Sequence, residues 1–253
     1  MKRVVLPLSA LIALLGFWHF YVILADVPKF VLPGPLAIIK ALVGDFSTLG
    51  QSALVTLKIT LFALLGATVS GILLALLFSV SRTFEMTVYP FAVVLQVTPV
   101  VAIAPLVLIW VGIDNVDRAQ IIIAWLVAFF PILANMSAGL RSVDSNLDDL
   151  FILYGANRWQ KFWLLLWPTS MPYLLASLKI SGGLALIGGV VAEFVAGSGG
   201  SAGLAWRIIE AGNRLQMEKM FAGLILLAGM GMLIFYGFVA LEKLVPANRR
   251  QRL

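Results

Sequence analysis

The chain has 253 residues, of which 61% are apolar and only 12% charged, and its mean hydropathy is +1.02. That leaves too little polar surface to coat a water-soluble globule of this size, so lipid is the solvent for most of it. The absence of cysteine excludes disulfides and thiolate-held metals, the single His19 is a packed or interfacial side chain rather than a metal site, and the net charge of +6 forms no basic stripe interleaved with aromatics, which argues against nucleic acid and for membrane topology.

The first apolar run, Val4 to Leu24, follows Lys2 and Arg3 and spans roughly 30 Å, one hydrocarbon core, at about 1.5 Å per residue. It is long for a signal-peptide core, and Ile23-Leu24-Ala25 is a weak cleavage site, so it reads as an uncleaved helix. Pro33-Gly34-Pro35 forbids helix, and a short interfacial segment, Leu36 to Asp45, leads on. The second span, Leu54 to Val80, carries Ala63, Ala67, Gly71, Ala75 and Ser79 at every fourth position, a face small enough for neighbouring backbones to approach. The third run, Val88 to Val111, is interrupted by Pro90, Pro99 and Pro105 and holds Gln96 and Thr98 near its middle. Freed carbonyls are tolerated in lipid only where protein or a cavity satisfies them, so this run is expected to face the interior, with Gln96, Thr98 and Pro99 as candidate lining of a translocation path. Three further spans follow: Ala119 to Leu140 with Pro131 and Asn135, Pro172 to Val195, and Met220 to Leu241.

Glu193 lies near the outer end of the fifth span, beside Gly188 and Gly189 and ahead of the loop Gly197 to Gly203. A carboxylate in hydrocarbon costs about 2.5–3.5 kcal/mol on insertion scales, so it should face protein or water, either at the path and its outer gate or as a structural hydrogen bond between helices. Lys179 and Lys58 are close enough to span ends to snorkel.

The loop charges set the orientation. With six crossings and both termini cytoplasmic, the inner segments hold Lys2, Arg3, Arg82, Arg141, Arg158, Lys161, Lys243, Arg249, Arg250 and Arg252, a richer set of cations than the outer segments, which also carry more acids. The longest inner connection is then Arg141 to Met171. Ser145 followed by Asp148 fits a capping box, and Leu147, Leu150, Phe151 and Tyr154 recur at helical spacing. Gly155 allows a turn, and Trp159, Phe162, Trp163 and Leu166 share one face of a second amphipathic stretch that Pro168 and Pro172 should end. Such a pair of short helices is either an ordinary interfacial loop or a rigid knob on the membrane surface.

Gly155, Leu165, Trp167 and Pro168 resemble, in order and spacing, the EAA loop of ABC-importer permeases, with Asp149-Leu150-Phe151 in place of the EAA triplet and Trp167 in place of the leucine before the proline. Leu32-Pro33-Gly34-Pro35, the run from Thr98 to Leu106 with Trp110-Val111-Gly112, Tyr154 to Trp159, and Val190-Val191-Ala192-Glu193 are together similar to the nitrate, sulfonate and taurine branch of binding-protein-dependent permeases. The resemblance covers nearly the whole chain. It implies an all-α integral membrane fold of the type I importer permease kind, with six transmembrane helices and a cytoplasmic coupling helix between the fourth and fifth. It also implies that Asp149, Tyr154, Gly155, Ala156, Asn157, Arg158, Trp159 and Pro168 dock an ATP-binding cassette subunit. The partners implied are a second permease copy, two such ATPase subunits, a periplasmic solute-binding protein and the bacterial inner membrane. The organisation expected is an N-terminal helix and periplasmic segment (1–45), a permease domain (46–243) and a basic cytoplasmic tail (244–253).

No glycine-rich loop ending in Gly-Lys-Ser/Thr, no His-Glu-x-x-His and no Gly-x-Ser-x-Gly occurs, so no catalytic centre is expected and no cofactor bound by this chain; ATP and Mg belong to the partner subunit. An ion-coupled carrier or channel-like protein is the competing reading. It predicts several buried acids and paired broken helices in two halves.

Overall fold

The computed structural model describes residues 2–196 and 202–244, so most of the expected loop Gly197 to Gly203 and the tail with Arg249, Arg250 and Arg252 lie outside the described residues. Among the described residues every regular element is helical: α1 (Lys2–Leu24), α2 (Pro35–Gly44), α3 (Phe46–Val80), α4 (Arg82–Val97), α5 (Val100–Val111), a 3₁₀ turn (Ile113–Asn115), α6 (Val116–Arg141), α7 (Ser145–Leu153), α8 (Arg158–Lys161), a π turn (Phe162–Leu166), α9 (Trp167–Ala196), α10 (Leu204–Asn213) and α11 (Met217–Leu244). Five helices are long and apolar enough to cross a bilayer, α8 to α9 counting as one, and the pair α4 and α5 makes a sixth when taken together.

That pair is not one rod. It bends by 104° at Thr98-Pro99. Proline disfavours the helical region for the residue before it, and Thr98 is accordingly extended, with φ −68° and ψ 127°. The expected burial of this run does not hold within a single chain. Ala92, Ala104 and Val107 are buried, but Phe91, Val94, Val97, Val101, Ile109 and Trp110 are exposed. The Thr98 hydroxyl donates to the Val94 carbonyl at 2.6 Å, beside the Thr98 amide at 3.1 Å, and so secures the last turn of α4 up to the break.

Two compact units can be described, each by itself. One comprises residues 1–55 and 200–229. Its core gathers Ile38, Leu49, Leu204 and Ala222, with Trp18 tilted on Phe221 at 6.0 Å. Here α2 starts where Pro35 can occupy the first helical position behind Gly34. Helix α10, which the apolar runs did not announce, buries Leu204, Ala205, Ile208 and Ala211 along one face and leaves Arg207 and Glu210 to pair at 2.9 Å.

The other unit comprises the described residues of 56–196 and 230–244, and α6 is its centre, with Ala124, Ala128, Ile132, Leu133 and Met136 fully enclosed. Lipid tails are as apolar as leucine, so these helices associate through close packing rather than through escape from water. The small residues let them do so. A Cβ on Gly188 would stand 2.8 Å from the Ala124 Cα, and one on Gly71 would stand 2.9 Å from Ile132. Ala63, Ala67 and Ala75, on the same stripe as Gly71, are fully buried. Cross-helix hydrogen bonds add to the packing: Ser181 donates to the Ala128 carbonyl at 2.8 Å and the Trp125 indole to the Ser70 hydroxyl at 2.9 Å. Lys179 pairs with Glu242 at 3.0 Å, and Lys58 is exposed, about 33 Å along α3 from Val80 at 1.5 Å per residue, in keeping with a snorkelling end.

Candidate coupling surface and translocation path

The connection after α6 folds as two short helices, and side chains at its turns explain why. Helix α7 is capped by Asp144, whose carboxylate accepts from the Asn146 amide at 2.9 Å. The expected capping box on Ser145 is therefore corrected by one residue: Asp144 reaches the free amide first and leaves Ser145 inside the first turn. At the other end the Ala156 amide donates to the Phe151 carbonyl and the Gly155 amide to the Ile152 carbonyl, both at 3.0 Å, which is a Schellman turn. Gly155 carries its left-handed residue, with φ +66°. Asn157 and Gln160 then form a reciprocal capping box at 2.8 and 2.9 Å, a signal present in the sequence and passed over there.

The second stretch does not end at Pro168 and Pro172. Arg158 to Ala196 is one helical course, because the π turn at 162–166, closed by the Trp167 amide on the Phe162 carbonyl, brings Pro168 into the opening of α9. Trp159, Phe162, Trp163 and Trp167 pack ring on ring over this turn, with neighbouring centroids 5.2 to 6.2 Å apart. Lys161 Nζ lies 2.5 Å from Asp148 Oδ1, and this ion pair ties α8 to α7.

What projects is the tip. No residue of α7 is buried, Leu153 is 82% and Tyr154 81% exposed, and among the described residues nothing lies within 4 Å of a Cβ built on Gly155. Asp149, Asn157, Arg158 and Trp159 are exposed beside them and Ala156 is half-buried, whereas Pro168 stands apart, half-buried in α9. The base of the knob is held on both flanks: a Cβ on Gly139, near the end of α6, would come within 3.0 Å of the Ser170 Cα and of Tyr173 in α9.

The residues expected along a path fall in two places. Gln96 and Pro99 are exposed on the α4–α5 bend, with Thr98 half-buried between them. Glu193 is 1% exposed and accepts from the Thr56 hydroxyl at 2.6 Å, which ties α9 to α3. Thr60, one turn along, donates to the Thr56 carbonyl at 2.8 Å and faces Gly189. Val100, next to Pro99, packs in one cluster with Ala192 and Val195, which flank Glu193.

One cluster was not singled out from sequence. Glu85, in the first turn of α4, accepts from Arg82 at 2.9 Å and, through its other oxygen, from Arg141 at the end of α6. In the sequence both arginines count only as topology charges, and a partner 56 positions away leaves no local signal.

The chain matches the family described as binding-protein-dependent transport system inner membrane component over residues 67–247. It is 31% identical to a protein of Haemophilus influenzae named "Probable ABC transporter permease protein", across 92% of this chain and 94% of that one. It is also 31% identical to the formylaminopyrimidine transport permease protein of Halalkalibacterium halodurans, across 97% and 96%. The riboflavin transport system permease protein of Chloroflexus aurantiacus is 32% identical across 76% and 71%. The match begins inside α3 and runs through every element of the knob, so a multi-pass helical bundle with a two-helix projection between its fourth and fifth crossings is explained in one step: this chain belongs to the binding-protein-dependent inner membrane component family and is the membrane-spanning permease subunit of an ATP-binding cassette importer.

Proposed function

We propose that two copies of this chain form the path of a bacterial inner-membrane importer, with both termini of each in the cytoplasm, and that the tip around Gly155 is seated in an ATP-binding cassette subunit. ATP and Mg turn over on that subunit. A periplasmic solute-binding protein delivers a small solute of the nitrate, sulfonate, taurine or vitamin-precursor kind. Closure of the two motor subunits displaces the knobs, and the path alternates between inward- and outward-facing states.

The observation that carries this reading is the knob itself. Leu153 and Tyr154 are held in the open by a Schellman turn, and the projection is joined without slack to α6 and α9 through Gly139. A lever has to be exposed at its tip and rigid at its base, and this segment is both. Gln96, Thr98 and Pro99 at the bend would line the path together with Glu193, which also ties α9 to α3 through Thr56.

The natural absence of cysteine makes the test direct. Tyr154→Cys introduces the sole thiol at an exposed tip. A membrane-impermeant maleimide should label it in inverted vesicles and not in intact cells, and the bound ATPase subunit should shield it. Labelling from outside intact cells would end the importer orientation.

A further inference from the structure

Between the knob and the bend stands the Glu85 cluster. Resting on the docking reading above, we infer that Glu85 is a positioning residue: its ion pair with Arg141 ties α4 to the end of α6, so that displacement received by the knob is handed to the bend at Thr98-Pro99.

The carboxylate is the fixed point of the cluster. Its side chain is 11% exposed, against 71% for Arg82 and 49% for Arg141, and each of its oxygens meets its own guanidinium. The backbone around it is set as well: Ser81 caps α4 by accepting from the Phe84 amide at 3.2 Å, and an acid in the first turn suits the positive end of the helix. Arg141 closes α6, and Asp144, the cap of the knob's first helix, follows almost at once. From Glu85, α4 continues as helix through Pro90 to Gln96, about 16 Å further along at 1.5 Å per residue, and the bend follows. A charge pair at one end of α4 thus meets the root of the lever, and the other end of the same helix is the proposed path.

A cavity of about 170 Å³ lies against the cluster, lined by Ala75, Phe78, Ser79 and Ser137 as well as the charged groups, and the buried Ser137 hydroxyl has no hydrogen-bond partner among the described residues. The pair is therefore a joint: firm between α4 and α6, with slack beside it.

The test uses the full complex, reconstituted with its ATP-binding subunits and trapped by Mg-ATP and vanadate, so no solute is needed. Gln96→Cys reports the bend through its rate of labelling by a maleimide, and Tyr154→Cys reports docking. With Glu85 intact, trapping should change the rate at Gln96→Cys at least about fivefold, the low end of a usable coupling. With Glu85→Gln that change should vanish while Tyr154→Cys stays shielded, and the reversed pair Glu85→Arg with Arg141→Glu should restore part of it. A merely structural carboxylate would lower assembly without selectively silencing the bend. An unchanged response at Gln96→Cys in an assembled Glu85→Gln complex, or no response with Glu85 intact, overturns the inference and leaves docking standing. Loss of shielding at Tyr154→Cys in the complex with Glu85 intact overturns docking instead, and this inference with it. If Glu85→Gln fails to assemble, Arg141→Gln, at a half-exposed helix end, decides by the same outcomes.

Discussion

The α6–α9 contact and the knob that joins these two helices both depend on glycine, for opposite reasons. Gly188 and Gly139 have ordinary helical backbones and no space: a Cβ on either would fall 3.0 Å or less from a neighbouring helix. Gly155 has space on every side and a backbone at φ +66° that side chains seldom adopt. The first kind of glycine serves the fold, because helices in lipid are held by close packing. The second sets the direction of a tip that this chain does not itself cover.

The contrast breaks most visibly at the packed end. Gly188→Val should cost about 3 kcal/mol, the upper end for overpacking, because the nearest atom is the Ala124 Cα and backbone cannot step aside. The measurement is the midpoint of thermal aggregation in detergent together with the monodisperse yield, and a midpoint equal to that of the unmodified protein would mean that α6 and α9 are not in contact here. Thr56→Val comes next. It keeps shape and removes one donor to Glu193, and hydrogen bonds between helices in lipid are worth about 0.6–1.7 kcal/mol, so a smaller shift in the same midpoint is expected.

At the exposed end, stability and function should separate. Gly155→Trp forces a side chain into the left-handed region, costing about 1–2 kcal/mol, yet its Cβ enters open space, so the protein should stay folded while binding of the ATPase subunit and coupled transport are lost. Gly155→Asn sharpens the point. Asparagine visits this region readily and is small, so it should recover stability fully and binding in part. If Gly155→Trp binds the ATPase subunit as the unmodified chain does, the tip is no docking site.

Much of this was legible in the sequence, and the gaps have physical causes. Apolar run length locates α1, α3, α6, α9 and α11, because a bilayer fixes how many residues a span needs. Gly155 was legible because a turn residue between two amphipathic stretches has few other uses. Proline was ambiguous: Pro99 breaks its helix at an extended Thr98, whereas Pro172 lies within a continuous one. Nothing in a periodicity separates the two cases. Glu85 with Arg141 was invisible because a pattern reports which residues are charged, not which of them meet. Glu193 was singled out as costly, and its Thr56 partner, far away in the chain, emerged only with the packing of α3 on α9.

The smallest effect tests how stiff the knob must be. Lys161 and Asp148 are each about a third exposed, so their pairing contributes at most about 1 kcal/mol, and Asp148→Asn should barely move the thermal midpoint. A lever, however, is judged by its angle as well as its stability. The turn through Gly155 also joins the two helices, and losing the charge that ties α8 to α7 should loosen their angle and lower the affinity for the ATPase subunit modestly. The same loss should appear in the unmodified protein as salt is raised, since a pair this exposed is screened. Binding that is weakened by salt in the unmodified chain but is salt-independent and equally weak in Asp148→Asn would assign the effect to this bridge. Equal salt sensitivity in both would assign it to charges at the docking surface itself, leaving the angle to the backbone turn alone.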